Sequence, residues 1–199
     1  MTASVPRAAR TAVAALVALC ALTACAAPSV AGAAGSGPDS QPSSAAVSAP
    51  AVSAAPSGYA RTFVTFYAAY DNDPPGSTEI AYGNERHAQA GGTGTFDDPM
   101  TLATDPNEIP PGTVIYYPAV RKYFVMEDDC AECISDWQKS KRPHIDLWMS
   151  GGVDKRVLGC EESLTPDGLE TIEVNPPGDR PVDPRPLYDP SGHCWTAAG

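Results

Sequence analysis

The segment YFVMEDDCAEC, residues 123–133, and the segment HIDLW, residues 144–148, each place acidic residues beside a run of apolar ones. Their β-branched and aromatic residues predict a strand in each segment. In the second segment, alternation directs Ile145 and Leu147 to one face of the strand and Asp146 to the other. An ionised carboxylate in such a strand costs several kcal/mol unless it is paired, hydrogen-bonded or required for function. Asp146 is therefore the first candidate functional residue.

Short strands separated by turn residues, including those of these two segments, account for most of the chain after residue 58. The Gly-rich segment 87–104 predicts a loop that leads into a short helix, and residues 133–143 predict a short helix followed by a loop. The proline-rich tail, residues 179–194, predicts irregular structure. Because helical periodicity is scarce, the pattern indicates an all-β barrel or sandwich. The predicted strands are TFVTFY (62–67), two strands within PGTVIYYPAVRKYFVMEDDC (111–130) joined near Pro118 and Ala119, HIDLWMSGG (144–152) and LETIEVNPPG (169–178).

The chain divides into an export signal, a linker and one domain. Residues 1–25 have a basic start, a short apolar run and a small-residue exit, as secretory signals do. The ending LTAC resembles a bacterial lipobox, which predicts lipidation of Cys25 and a membrane contact through that lipid. Residues 26–58 are mostly Ala, Ser, Pro, Gly and Val, which predicts a disordered linker. The domain then spans residues 59–195, and cleavage after Ala33 without lipidation is the alternative.

The charge of the chain excludes some partners. All 24 acidic residues lie beyond the signal, whereas Arg7 and Arg10 of the 13 basic residues lie within it. The remaining 11 basic residues leave the exported chain with a net charge of −13. Such a charge argues against nucleic acid as a partner. No residue pattern indicates a metal or an organic cofactor, and we expect a monomer.

Four cysteines lie beyond the signal, and an even number in an exported chain predicts two disulfides with three possible pairings. The CAEC motif is also compatible with a redox site or half of a zinc site. No second CxxC motif or His pair completes a zinc set, so we expect structural disulfides. The four are Cys130, Cys133, Cys160 and Cys194.

The segments YFVMEDDCAEC (123–133) and HIDLW (144–148) together resemble the core of the double-psi β-barrel superfamily. That superfamily includes expansins, family 45 glycoside hydrolases, barwin and rare-lipoprotein-A-like domains. Its members have a Val-x-Glu-Asp-x-Cys strand, here Val125 to Cys130, followed by a His-x-Asp-Leu strand, here His144 to Leu147. The resemblance implies a mainly-β fold with a single six-stranded double-psi barrel and short helices. It also implies a cell-wall polysaccharide, such as peptidoglycan or a cellulose-like glycan, as the partner.

Site roles follow from the same resemblance. Asp146 matches the general acid of the family 45 hydrolases, and Asp128 matches a second polar Asp near it. Asp71 is the candidate base; an inverting hydrolase needs the two carboxyl groups about 6.5–9.5 Å apart. Without such a base, Asp146 suits a transglycosylase or an expansin-like loosening protein. The side chains expected to bind the sugar are Tyr67, Tyr70, His87, His144 and Trp148.

A binding module is the alternative function, because the same barrel also serves as a scaffold and a fold does not fix a function. In a secreted protease inhibitor, loops such as DNDPPGSTE, residues 71–79, would make the contacts. Asp146 would then be a structural hydrogen-bond acceptor.

Overall fold

A computed structural model describes residues 57–195, which lie within one compact unit. The predicted signal, the lipidation site at Cys25 and nearly all of the predicted linker lie outside the described residues. Six strands and two helices make up the described region. In chain order they are β1 (Gly58–Ala68), β2 (Met100–Thr104), β3 (Val114–Tyr117), β4 (Lys122–Asp129), α1 (Ala131–Ser140), β5 (His144–Ser150), α2 (Val157–Leu164) and β6 (Glu170–Val174).

The six strands close into a barrel in the order β1-β5-β2-β4-β3-β6. Two neighbouring pairs, β1 with β5 and β2 with β4, are parallel, and the other described pairings are antiparallel. This architecture confirms the prediction of a mainly-β, six-stranded barrel with short helices. Closure also leaves no long unpaired strand edge, since each strand has a neighbour on both sides.

The barrel is filled by apolar side chains from all six strands. Val64, Leu102, Phe124, Ile145 and Leu147 are each fully buried. On β1, buried residues alternate with partly exposed ones between Thr62 and Phe66, as the pleat of a strand produces. β2 and β4 are instead buried along nearly their whole length. Burial of each such side chain contributes about 1.5–3 kcal/mol relative to exposure.

The short helix predicted within residues 87–104 is a strand, β2. Only five residues long, MTLAT is too short for the spacing of its apolar residues to distinguish a helix from a buried strand. The segment is extended because it forms backbone hydrogen bonds with β4 on one side and with β5 on the other. The short helix predicted within residues 133–143 is present as α1, which begins two residues earlier at Ala131, and α2 was not predicted.

The tail lies against β3 and β4. The hydroxyl of Tyr116 donates to the carbonyl of Pro181, and the hydroxyl of Tyr123 donates to that of Pro177. Buried Lys122 donates to the carbonyls of Thr93 and Asp183. These bonds fix a segment that has no helix or strand of its own.

Both predicted disulfides are present, and the structure selects one of the three pairings. Cys130 bonds Cys133, and Cys160 bonds Cys194, 34 residues further along the chain. The second disulfide joins α2 to the tail. Across residues 57–195, no helix has the length and apolar character needed to cross a membrane.

Candidate functional site

Two adjoining depressions form an acidic cleft between the end of β1, the end of β4 and the start of α1. They measure about 290 and 420 Å³ and share four lining residues, Asn72, Asp73, Asp129 and Ala131. No Lys, Arg or His is among the residues that line them. The cleft therefore repels anions. Its acidic lining residues are Asp71, Asp73, Glu79, Asp128, Asp129, Glu132 and Asp146.

Asp146 opens on this cleft because of the register between β1 and β5. The parallel pairing places Asp146 beside Thr65, whose hydroxyl donates to Asp146 Oδ1 at 2.8 Å. Burial raises the pKa of Asp146 to about 7, and the negative charge of nearby Asp71 adds to the rise. A carboxyl group that keeps its proton up to neutral pH can act as a general acid.

Asp128 lies on β4, which β2 separates from β5, and both of its carboxylate oxygens already accept hydrogen bonds. Asp128 Oδ2 accepts from the hydroxyl of Tyr67 at 3.0 Å, and Oδ1 accepts from the backbone N–H groups of Ala81 and Asp129. Burial raises the pKa of Asp128 and also that of Tyr67. Asp128 thus ties β1 and the loop at Ala81 to β4, which shapes the cleft wall.

Asp71 lies in the same depression as Asp146, directly after β1. It accepts from the backbone N–H of Ala68 and shares a hydrogen bond with the side chain of Glu161, which comes from α2. Burial raises the pKa of Glu161 to about 8, so Glu161 is the protonated partner at neutral pH. Glu161 was not predicted as a site residue, because α2 was not predicted and no motif marks this position.

Replacement of Glu161 by Gln is expected to stabilise the protein at alkaline pH. The folded protein keeps the Glu161 proton up to about pH 8, whereas an unperturbed Glu loses it near pH 4.5. The free energy of unfolding therefore falls as the pH rises between these values. Gln does not ionise, so at pH 9 the variant should be more stable than the wild type by about 2–4 kcal/mol. Urea denaturation at pH 5 and pH 9 measures the difference.

The neighbouring exposed residue provides the control. Glu162→Gln removes a carboxylate from the same helix at an exposed position and should leave the pH dependence of stability as in the wild type. Parallel stability curves for Glu161→Gln and the wild type would contradict a buried, protonated Glu161.

The aromatic residues expected to stack on a sugar are differently placed. Tyr67 lines the cleft but is only 7% exposed. Trp148 is 3% exposed and packs edge-on against Tyr67, with ring centroids 5.3 Å apart. Tyr70 is partly buried against the core and is not among the residues that line the cleft. None of the three offers a broad exposed ring face to the cleft.

The two expected histidines do not line the cleft. His87 Nδ1 lies 2.6 Å from Glu127 Oε1, and His87 Nε2 lies 3.2 Å from Asp98 Oδ1. His144 is buried, and its ring packs edge-on against Phe63. The two acidic partners raise the pKa of His87 although burial opposes them. His87 thus compensates the charge of fully buried Glu127.

A separate, mainly apolar cavity of about 280 Å³ lies between the start of β1, β6, the second half of α1 and the loop before β5. Its one carboxylate, Glu108, accepts from the backbone N–H of His144 and from the hydroxyl of Thr104. Because these bonds are structural, the acidic cleft is the better candidate site. Among residues 57–195, no group of three or more His, Cys, Asp or Glu side chains is arranged to hold a metal ion.

Comparison with known proteins places the chain among relatives that carry the same domain. The family described as the DDB_G0273701 N-terminal domain matches residues 59–195. The uncharacterized protein DDB_G0273701/DDB_G0273221 of Dictyostelium discoideum is 37% identical over 133 residues, which is 66% of this chain. The chain spans 58% of the length of that relative. No solved structure matches the chain.

Proposed function

The chain belongs to the DDB_G0273701 N-terminal domain family, and from the chemistry of its acidic cleft we propose that it is an exported protein acting on a cell-wall polysaccharide. The observation that carries the proposal is the position of Asp146, whose carboxyl group opens on a cleft that no basic residue lines. Burial there raises the pKa of Asp146 to about 7. In this reaction the Asp146 proton passes to the glycosidic oxygen, which is the role of a general acid.

The lining of the cleft favours a glycan that carries little negative charge. Seven acidic residues and no basic one repel phosphates and polyanions, whereas carboxylates accept hydrogen bonds from sugar hydroxyls. A neutral polysaccharide therefore suits the cleft better than a nucleic acid. Peptidoglycan and cellulose-like glycans are the two candidates.

Asp71 determines which reaction follows protonation. It is exposed, lies in the same depression as Asp146 and is held by Ala68 and by protonated Glu161. As a carboxylate it would activate water for hydrolysis, and Asp146 alone would support transglycosylation or loosening. Hydrolysis is the reaction we favour, since Glu161 keeps a proton beside Asp71 and orients its side chain.

Export is supported by the two disulfides, because such bonds persist in oxidising compartments. A lipid on Cys25 would hold the domain at the outer face of the membrane, with residues 26–58 as a tether. Without lipidation the same domain would be freely secreted.

The proposal predicts that the purified chain releases soluble sugars from peptidoglycan or cellulose, and faster at pH 5.5 than at pH 8.5. The pH dependence follows from Asp146, which is protonated below about pH 7 and ionised above it. Mass spectrometry of the soluble fraction measures the products, and new reducing ends distinguish hydrolysis from transglycosylation.

Three other outcomes are informative. Weakening of wall strips without sugar release would replace cleavage by expansin-like loosening. Neither release nor weakening from either wall material would contradict the glycan proposal. Inhibition of a papain-like protease that Asp146→Asn leaves unchanged would instead support the binding-module alternative.

A further inference from the structure

A continuous line of hydrogen bonds leads from Asp146 away from the cleft. Thr65 Oγ1 lies 2.8 Å from Asp146 Oδ1 and 3.1 Å from His144 Nε2. His144 Nδ1 lies 3.0 Å from Asp136 Oδ2. The four side chains come from β1, β5 and α1. The line ends at Asp136, whose side chain is 28% exposed, so it joins the cleft to the surface.

The number of protons in this line is fixed by its chemistry. Ionised Asp136 only accepts, so a neutral His144 carries its one proton on Nδ1. His144 Nε2 then accepts from the Thr65 hydroxyl, and the Thr65 oxygen can accept only from a protonated Asp146. In the second arrangement Thr65 donates to ionised Asp146, and His144 Nε2 must carry a proton. The fully bonded line therefore holds one mobile proton, on Asp146 or on His144.

We propose that Thr65 and His144 form a proton relay to Asp146, with Asp136 as its surface end. When Asp146 has lost its proton to the substrate, a proton from water enters at Asp136 and converts His144 to the imidazolium form, and His144 Nε2–H then passes a proton to Thr65 Oγ1. The Thr65 hydroxyl proton moves to Asp146 Oδ1 in the same step. The products are neutral His144, an intact Thr65 hydroxyl and protonated Asp146. Thr65 and His144 are thus positioning residues, and the proposal rests on the proposed role of Asp146 as an acid.

The buried surroundings of the two groups favour the proton on Asp146 over the proton on His144. Burial lowers the pKa of His144, although Asp136 opposes this, and burial raises the pKa of Asp146 to about 7. The two shifts therefore favour transfer of the shared proton from His144 to Asp146, which is the direction of the relay. The charged or titratable groups facing His144 are Asp136 and Glu132 from α1, Arg142 before β5 and Glu108 after β2. Those facing Asp146 are Tyr67, Asp71, Asp128, Glu132 and Glu161.

The relay matters because a bound substrate covers Asp146. Asp146 lines the cleft, whereas neither His144 nor Asp136 is among the cleft-lining residues. A glycan in the cleft would block direct exchange of the Asp146 proton with water there. The route through Thr65 and His144 stays available, since it reaches solvent at α1.

The test compares Thr65→Val with Thr65→Ser. Valine keeps the branched shape on β1 but has no hydroxyl, whereas serine keeps the hydroxyl. The ¹⁵N NMR titration of the His144 ring is measured in the full chain without substrate. Its midpoint should shift by about one pH unit in Thr65→Val, because the hydrogen-bonded link that couples the titrations of His144 and Asp146 is lost. Thr65→Ser should titrate like the wild type. Circular dichroism melting verifies that both variants fold.

Kinetics provide the second arm. With a glycan substrate, Thr65→Val should lower kcat about tenfold with KM unchanged, and Thr65→Ser should restore most of the loss. An unchanged His144 titration in a folded Thr65→Val variant would overturn the relay even if the wild type cleaves glycan. If the wild type cleaves no glycan, the proposed function fails while the NMR arm still decides whether Asp146 and His144 share a proton.

Discussion

Replacement of Asp146 by Asn is expected to reduce glycan cleavage by about 10²–10⁴-fold, the range that general acid catalysis contributes. The amide is nearly isosteric, accepts from Thr65 as the carboxylate does, and has no proton to give to a leaving oxygen. Because the acid form of Asp146 is the active one, wild-type activity should also decline as the pH rises through about 7. The measurement is kcat/KM against pH for both proteins.

Asp97→Asn is the matched control, since Asp97 is an exposed carboxylate in the loop before β2 and does not line the cleft. It should retain wild-type activity and the same pH dependence. The stability of Asp146→Asn should equal or exceed that of the wild type above pH 7, where ionisation of buried Asp146 costs free energy. Full activity in a folded Asp146→Asn variant would remove Asp146 from the mechanism.

Loss of the Cys160–Cys194 disulfide is expected to lower the free energy of unfolding more than loss of the Cys130–Cys133 disulfide does. The bond closes a loop of 34 residues, and the chain-entropy relation gives about 3–4 kcal/mol for a loop of that length. The double variant Cys160→Ser with Cys194→Ser should therefore melt about 10 °C below the wild type. Differential scanning calorimetry at pH 6 measures the shift.

The other disulfide is an internal control for this prediction. Cys130 and Cys133 are three residues apart, so the same relation gives about 1–2 kcal/mol for their bond. Equal losses from the two double variants would contradict the loop-length argument. Glu161 follows Cys160 on α2, so the variant without the Cys160–Cys194 disulfide should also expose the Glu161 side chain to solvent. The stability of that variant should therefore depend less on pH than that of the wild type.

The strands were predictable where the sequence alternates or runs apolar between turn residues. Residues 114–117 and 122–129, joined at Pro118 and Ala119, follow this pattern, and the structure places β3 and β4 there. For β2 the information lies in its neighbours, since its five residues are buried on both faces. α2 has no side-chain cap at Arg156 and contains Gly159, so its sequence carries weak helix signals.

Only part of the candidate site was predictable from local sequence patterns. Asp146 is conspicuous because a carboxylate within an apolar strand needs an explanation, and the structure places it at the cleft beside Asp71. Glu161 and Asp136 are ordinary helix-surface residues in the sequence. Their relation to the site depends on how α2 and α1 pack against the barrel, which local patterns do not encode.

The parallel ladder between β1 and β5 has an evolutionary consequence. It fixes Thr65 against Asp146 and Phe63 against His144, although the two strands are more than seventy residues apart in sequence. The acid and its hydrogen-bonded line are thereby separated from the long β1–β2 connection, which supplies Asp71, Asn72 and Asp73 to the cleft. Under the proposed function, homologues that keep Asp71 but change the rest of that connection would accept other polymers, while the pairing of Thr65 with Asp146 stays intact.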